Sequence, residues 1–103
     1  METTTDVGLV FEDFKDRIGG AFTLSEPEFP AIALTLEEAT LLPIHSGTPI
    51  TRPPFSLIFV GGGQHILPQK QYDLNHAALG KLTLFLVPVG RDSRGVQYQA
   101  LFN

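Results

Sequence analysis

The sequence predicts an all-β fold, a small β-sandwich or partly open β-barrel of about six strands with one short N-terminal α-helix. Three observations carry that expectation. Beyond Gly19-Gly20 the apolar residues stop recurring at helical spacing and alternate; every apolar run is short; and each is bounded by glycine, proline or polar turn residues. Short strands with closely spaced turns pack as sandwiches or small barrels, with a helix closing one end or covering one face. At 103 residues the chain makes one domain, 1–103, large enough to bury a core without cross-links.

The helix comes first, over about 10–18. Phe11, Phe14 and Ile18 share one side while Glu12, Asp13, Lys15 and Asp16 fall elsewhere, and Gly19-Gly20 stops the run. Strands are expected over 21–26, 31–39, 55–60, 71–76, 81–89 and 96–102. In the second, Ile32, Leu34 and Leu36 alternate with Ala33, Thr35 and Glu37, the signature of one wet face. Residues 42–54 hold Pro43, Pro49, Pro53 and Pro54, which a central strand does not tolerate, so they read as a long loop or edge arm. Gly61-Gly62-Gly63 opens a second flexible connection, 75–81 makes a tight return in which Gly80 suits positive φ, and 90–95 reads as a polar hairpin loop. Phe102 carries the last strand into the core; such a terminal strand has little to blunt an exposed edge, which invites pairing with another chain.

Two strands are apolar on both faces. Phe55, Leu57 and Phe59 back onto Ser56, Ile58 and Val60, and Leu82, Leu84 and Leu86 back onto Thr83, Phe85, Val87 and Val89. Such strands need cover on each side, from a second sheet and from the helix or another chain. Ile58, Val60, Phe85 and Val87 are therefore the interface candidates. Charge is also uneven: up to Glu38 nine acids face Lys15 and Arg17, a net of −7, whereas from Ala39 onward the net is +3. If the fold keeps these halves apart, one copy can dock head to tail on another; if strand pairing mixes them, the field averages out.

Composition excludes several classes of function. A net charge of −4 does not suit a sequence-independent grip on phosphate backbones, so no nucleic-acid partner is expected. No apolar run approaches a membrane span of about 18 residues, and the polar, acidic start is unlike a secretory leader, so no membrane partner is expected and the cytoplasm or a virion or tail-like particle is the expected location. With no cysteine there are no disulfides and no thiolate chemistry. Val60-Gly61-Gly62-Gly63 follows a strand but lacks the lysine, hydroxyl and helix of a phosphate loop. His45, His65 and His76 show no metal-ligand spacing. Asp73 and His76 would point to opposite faces of a strand, and a strand-end histidine bonding the next turn is the common outcome. Ser56 reads as a packing residue rather than a nucleophile, and Glu37-Glu38 point apart. The ten aromatics read as core, with Tyr72 and Tyr98 at its margins and their hydroxyls wet. No catalytic residue, cofactor or metal is expected.

The segments Pro54-Phe-Ser-Leu-Ile-Phe-Val60, Gln71-Tyr-Asp-Leu-Asn-His-Ala-Ala-Leu-Gly80, Leu84-Phe-Leu-Val-Pro-Val-Gly90 and Tyr98-Gln-Ala-Leu-Phe-Asn103 resemble a family of small bacterial domains of unknown function. Members sit beside genes for phage-tail-collar-like fibre proteins, so the resemblance implies an assembly component and carries over no site residues. The expected function is a non-enzymatic structural or assembly module in a larger complex, its partner another protein or a second copy. The alternative is a small-ligand or peptide binding module using loops 42–54 and 61–68, with Arg52, Gln64 and His65 as candidates.

Overall fold

The computed structural model describes residues 10–26, 29–43, 54–61 and 66–102. One helical turn, α1 (Glu12–Lys15), precedes β1 (Ala21–Glu26), β2 (Phe29–Leu41), β3 (Phe55–Gly61), β4 (Lys70–His76), β5 (Gly80–Asp92) and β6 (Gly95–Phe102). The strands form a closed antiparallel barrel in the order β1-β2-β3-β6-β5-β4. Closure is made by β1 and β4, where Thr23 lies opposite Asn75 and Leu24 opposite Leu74. The barrel is thus closed rather than partly open, and the terminal strand is enclosed over most of its length: β6 pairs with β3 over 96–102 and with β5 over 95–99.

Alternation along each strand fills the interior. Phe22 and Leu24, Leu34 and Leu36, Phe55, Leu57 and Phe59, Leu74, Leu82, Leu84 and Leu86, and Val96, Ala100 and Phe102 all point inward and are buried. Bending strands this tightly needs irregularities, and β1, β2 and β5 each carry one, at Leu24/Glu26, Leu36/Glu38 and Pro88/Gly90. The β2 bulge shifts the alternation by one, so that Ala39, not Glu38, packs against the core. Gly61 faces inward between β2 and β6. A β-carbon there would sit 2.5 Å from Leu34 Cδ2, so this position in the wall must stay bare.

Each end of the barrel is stoppered. At one end Phe14 of α1 is fully buried, its ring 5.5 Å from Phe102, 5.7 Å from Phe55 and 6.4 Å from Phe22, while Phe55 and Phe102 stack at 4.4 Å. Ring pairs of this kind add about 0.5–1.5 kcal/mol each beyond their burial. The helix therefore closes an end and covers no wall. It is also shorter than 10–18: Arg17 N–H already bonds Phe14 carbonyl at i−3, which tightens the turn, and Gly19 takes φ +93. Gly19 N–H then bonds Leu36 O at 2.7 Å and Leu36 N–H bonds Gly20 O at 3.0 Å, tying the helix exit to β2. Because the helix stops early, Ile18 turns outward and is half-exposed instead of joining Phe11 and Phe14.

At the other end a segment before β4 supplies the stopper. β3 and β4 lie three places apart in the ring, and residues 66–69 lead into β4 at this end. Leu67 in that connection is buried, its N–H bonded at 2.9 Å to the Tyr98 hydroxyl, while the Tyr72 hydroxyl donates to Pro68 O. Both tyrosine rings are buried. The expected wet margin is corrected: the hydroxyls hold Leu67 and Pro68 in place at this end.

The hairpin returns follow the glycines. After β4, 77–79 form a three-residue turn closed by Gly80 at φ +76. The β5–β6 return is tighter than a six-residue loop, because pairing continues to Asp92 opposite Gly95, and Gly95 takes φ +139.

Candidate functional site: the outer wall

Two sets of outward residues stand out on the wall. The first combines apolar side chains of β5 and β6. Phe85 is 47 % exposed, Val89 52 % and Leu101 56 %, although large apolar side chains usually find cover. Val87 opposes Gln99, which opposes Ile58, so one row across the wall runs from β5 through β6 to β3. Phe85 lies opposite Gln71 of β4, and Leu101 lies beside Ser56 of β3, beyond the last β5–β6 partners at Val87 and Gln99. Ile58, Val60 and Val87 are half-buried among their neighbours. Of the four interface candidates, Phe85 is thus the most prominent, and the outward residues of β3, β6 and the β5 segment 85–89 carry no charge.

The second set forms a groove of about 430 Å³ on the seam of β2 and β3, lined by Ile18, Ala33, Thr35, Glu37, Val60 and Arg94. Its floor is apolar and its rim is an ion pair. Arg94 reaches from the β5–β6 turn to Glu37 of β2, and its Nη2 also lies 2.8 Å from Asp92 Oδ2. The Asp92 carboxylate accepts the Arg94 backbone N–H as well, at 2.8 Å, so the turn itself aims the guanidinium. This pair joins the acidic and basic halves of the chain at one point, while elsewhere Glu38 on β2 and Lys70 and Lys81 on β4 and β5 stay on different sides of the ring.

His76 ends β4 in the way its position predicted. Its Nδ1 accepts N–H bonds from Ala78 at 3.0 Å and Leu79 at 3.2 Å, and its ring lies 4.5 Å from that of Phe22. Desolvation by burial, and then the nearby Arg17, lower its pKa and favour the neutral ring that makes these bonds. Asp73 is engaged elsewhere, accepting from Thr83 Oγ1 at 2.9 Å and lying 3.7 Å from Lys81. Among the described residues no three histidine or carboxylate side chains gather as metal ligands. Ser56 is buried between Thr40 and Leu101 in the wall. His45 and the loop candidates Arg52, Gln64 and His65 lie outside the described residues.

Sequence reasoning identified the apolar outer residues but missed the groove, because Arg94 and Glu37 are 57 positions apart and only the ring order brings them together. The polar hairpin loop was the available signal, since an arginine beside an aspartate-led turn has its direction fixed.

The architecture defines a small closed antiparallel barrel, stoppered at both ends, with apolar residues left on its outer wall. The chain belongs to the family described as Domain of unknown function (DUF6916), whose model matches residues 9–102. No curated protein and no solved structure matches it. No helix among the described residues is long and apolar enough to cross a membrane.

Proposed function

We propose that this domain is a non-enzymatic assembly module that packs through its outer wall into a larger protein complex. One observation carries the reading: the core is completed inside the barrel and at its two stoppers, yet Phe85, Val89 and Leu101 remain about half-exposed on the wall. A closed barrel has no second sheet with which to cover them, and Phe85, Val87 and Val89 recur along one strand as an uncharged apolar run that suits contact with another protein. The engagement of His76 and Asp73 in turn and strand contacts is consistent with a structural role. The resemblance to domains encoded beside tail-fibre genes supports a tail-like particle as the finer setting, with the cytoplasm as the site of synthesis and assembly.

Size-exclusion chromatography with light scattering, at low and high salt, tests the proposal. A contact made by apolar residues predicts association that survives high salt. A monomer at every concentration and salt level overturns it.

A further inference from the structure

At the α1 end of the barrel one side chain touches three elements. His76 closes β4, and its Nδ1 accepts the N–H groups of Ala78 at 3.0 Å and Leu79 at 3.2 Å, the donors that fix the turn 77–79. Its ring lies 4.5 Å from that of Phe22 on β1, which in turn stacks on Phe14 of α1 at 6.4 Å. Its Nε2 faces the α1 exit, where a β-carbon on Gly20 would stand 3.7 Å away. Gly20 N–H bonds Arg17 O at 2.9 Å and Gly20 O accepts Leu36 N–H at 3.0 Å, so the ring leans on the backbone that ties α1 to β2.

This arrangement admits one protonation state. Nδ1 accepts, so the ring proton sits on Nε2. An imidazolium carries a proton on both nitrogens, and an Nδ1–H turned toward two N–H donors offers them nothing to bond. Both turn bonds are then lost. The surrounding charges do not offset that loss. On the α1 side Arg17 brings a second positive charge, Asp16 before it is exposed, and the Asp13 carboxylate is taken up by Val10 N–H. On β4 and β5, Asp73 and Lys81 stand on the opposite, outward face and lie 3.7 Å from each other. On β1 the neighbours of Phe22 are the uncharged Ala21 and Thr23. Burial and Arg17 both favour the neutral ring, so the closed arrangement is the one held near neutral pH.

We infer that His76 is an acid-sensitive latch: protonation of its ring frees the turn 77–79 and the Gly19-Gly20 exit of α1 together, while the strand ladder stays paired. The inference goes beyond the assembly reading and does not depend on it. It places the acid response at one end of the barrel. There α1 is held by Phe14 and two backbone bonds, whereas each strand is held by a ladder on both sides.

Amide and imidazole NMR of the whole chain, followed from about pH 7.5 down to about pH 5, tests this. The imidazole signals are expected to show the Nε2–H tautomer at the upper end. As the ring titrates, the amide signals of Gly20, Ala78 and Leu79 are expected to shift in step with it. Their exchange protection, corrected for the intrinsic dependence of exchange on pH, is expected to fall about fivefold, while Leu34 and Leu74 keep theirs. His76→Asn, which keeps an acceptor and does not titrate, is expected to abolish these changes, and Arg17→Gln, which removes the facing charge, to raise their midpoint. The opposite tautomer, a turn that opens while Gly20 stays unmoved, protection lost uniformly through the barrel, or an unchanged acid response in His76→Asn overturns the latch.

Discussion

Individual side chains do unequal work in this barrel, and Tyr98 shows why. Its hydroxyl is the acceptor for Leu67 N–H at a buried site, so Tyr98→Phe strands a donor away from water. The expected loss is about 1–3 kcal/mol, seen in urea titration as a lower midpoint with an unchanged slope. His76 makes stability depend on pH. Its folded pKa lies below the 6.5 of an unfolded histidine, so the unfolded chain takes up the proton more readily. Its contribution is complete above about pH 6.5 and is lost as the pH falls through the lower folded value. Thermal midpoints measured from about pH 7 down to about pH 5 are expected to fall, and His76→Asn, which keeps an acceptor for the turn and does not titrate, is expected to flatten that part of the profile.

At the scale of elements, the single turn of α1 owes its existence to the barrel. Four helical residues are too few to hold themselves in water, even with the Asp13 carboxylate accepting the Val10 N–H at 2.8 Å at the helix start. What fixes α1 is Phe14 in the barrel end and the two backbone bonds joining Gly19-Gly20 to Leu36. Phe14→Ala opens that end and is expected to cost about 3–5 kcal/mol, a large share of the ~5–15 kcal/mol available to a domain. Guanidinium titration should show the loss, with the far-ultraviolet strand signal retained before the transition. The β5–β6 turn is a contrasting case. Arg94→Ala breaks its bridge to Glu37, but Arg94 is open to solvent and Glu37 only partly covered, so the expected cost is at most about 1 kcal/mol and should fade in high salt.

The whole molecule is governed by contacts distant in sequence. Phe55 pairs with Phe102, and Thr23 with Asn75, so loop closure comes before most of the reward. Folding on a scale of about milliseconds to seconds is expected. Stopped-flow tyrosine fluorescence is the appropriate probe, because the chain has two tyrosines and no tryptophan. Microsecond folding would show that the barrel closes from local hairpins alone. At this scale too, every strand has two neighbours in the ring, and the edges left unpaired lie at strand ends, among them 37–41 of β2 and 87–92 of β5.

The sequence by itself determined the strands and the inward face of those with one polar side. Alternation of Ile32, Leu34 and Leu36 with Ala33, Thr35 and Glu37 states which side is buried whatever the neighbours are, because the period of a strand is local geometry. β3 and β5, by contrast, are apolar on both faces, and only the ring decides between them. Gly80 and the His76 turn bonds were legible for the same reason. Local pattern could not show that the sheet closes, since closure depends on which strands become neighbours and on bulges that the pattern does not mark. Nor could it show that α1 is a stopper, that the tyrosine hydroxyls hold Leu67 and Pro68, or that Arg94 meets Glu37 over a groove. Each of these depends on distances between segments far apart in the chain, and only the tertiary structure sets those.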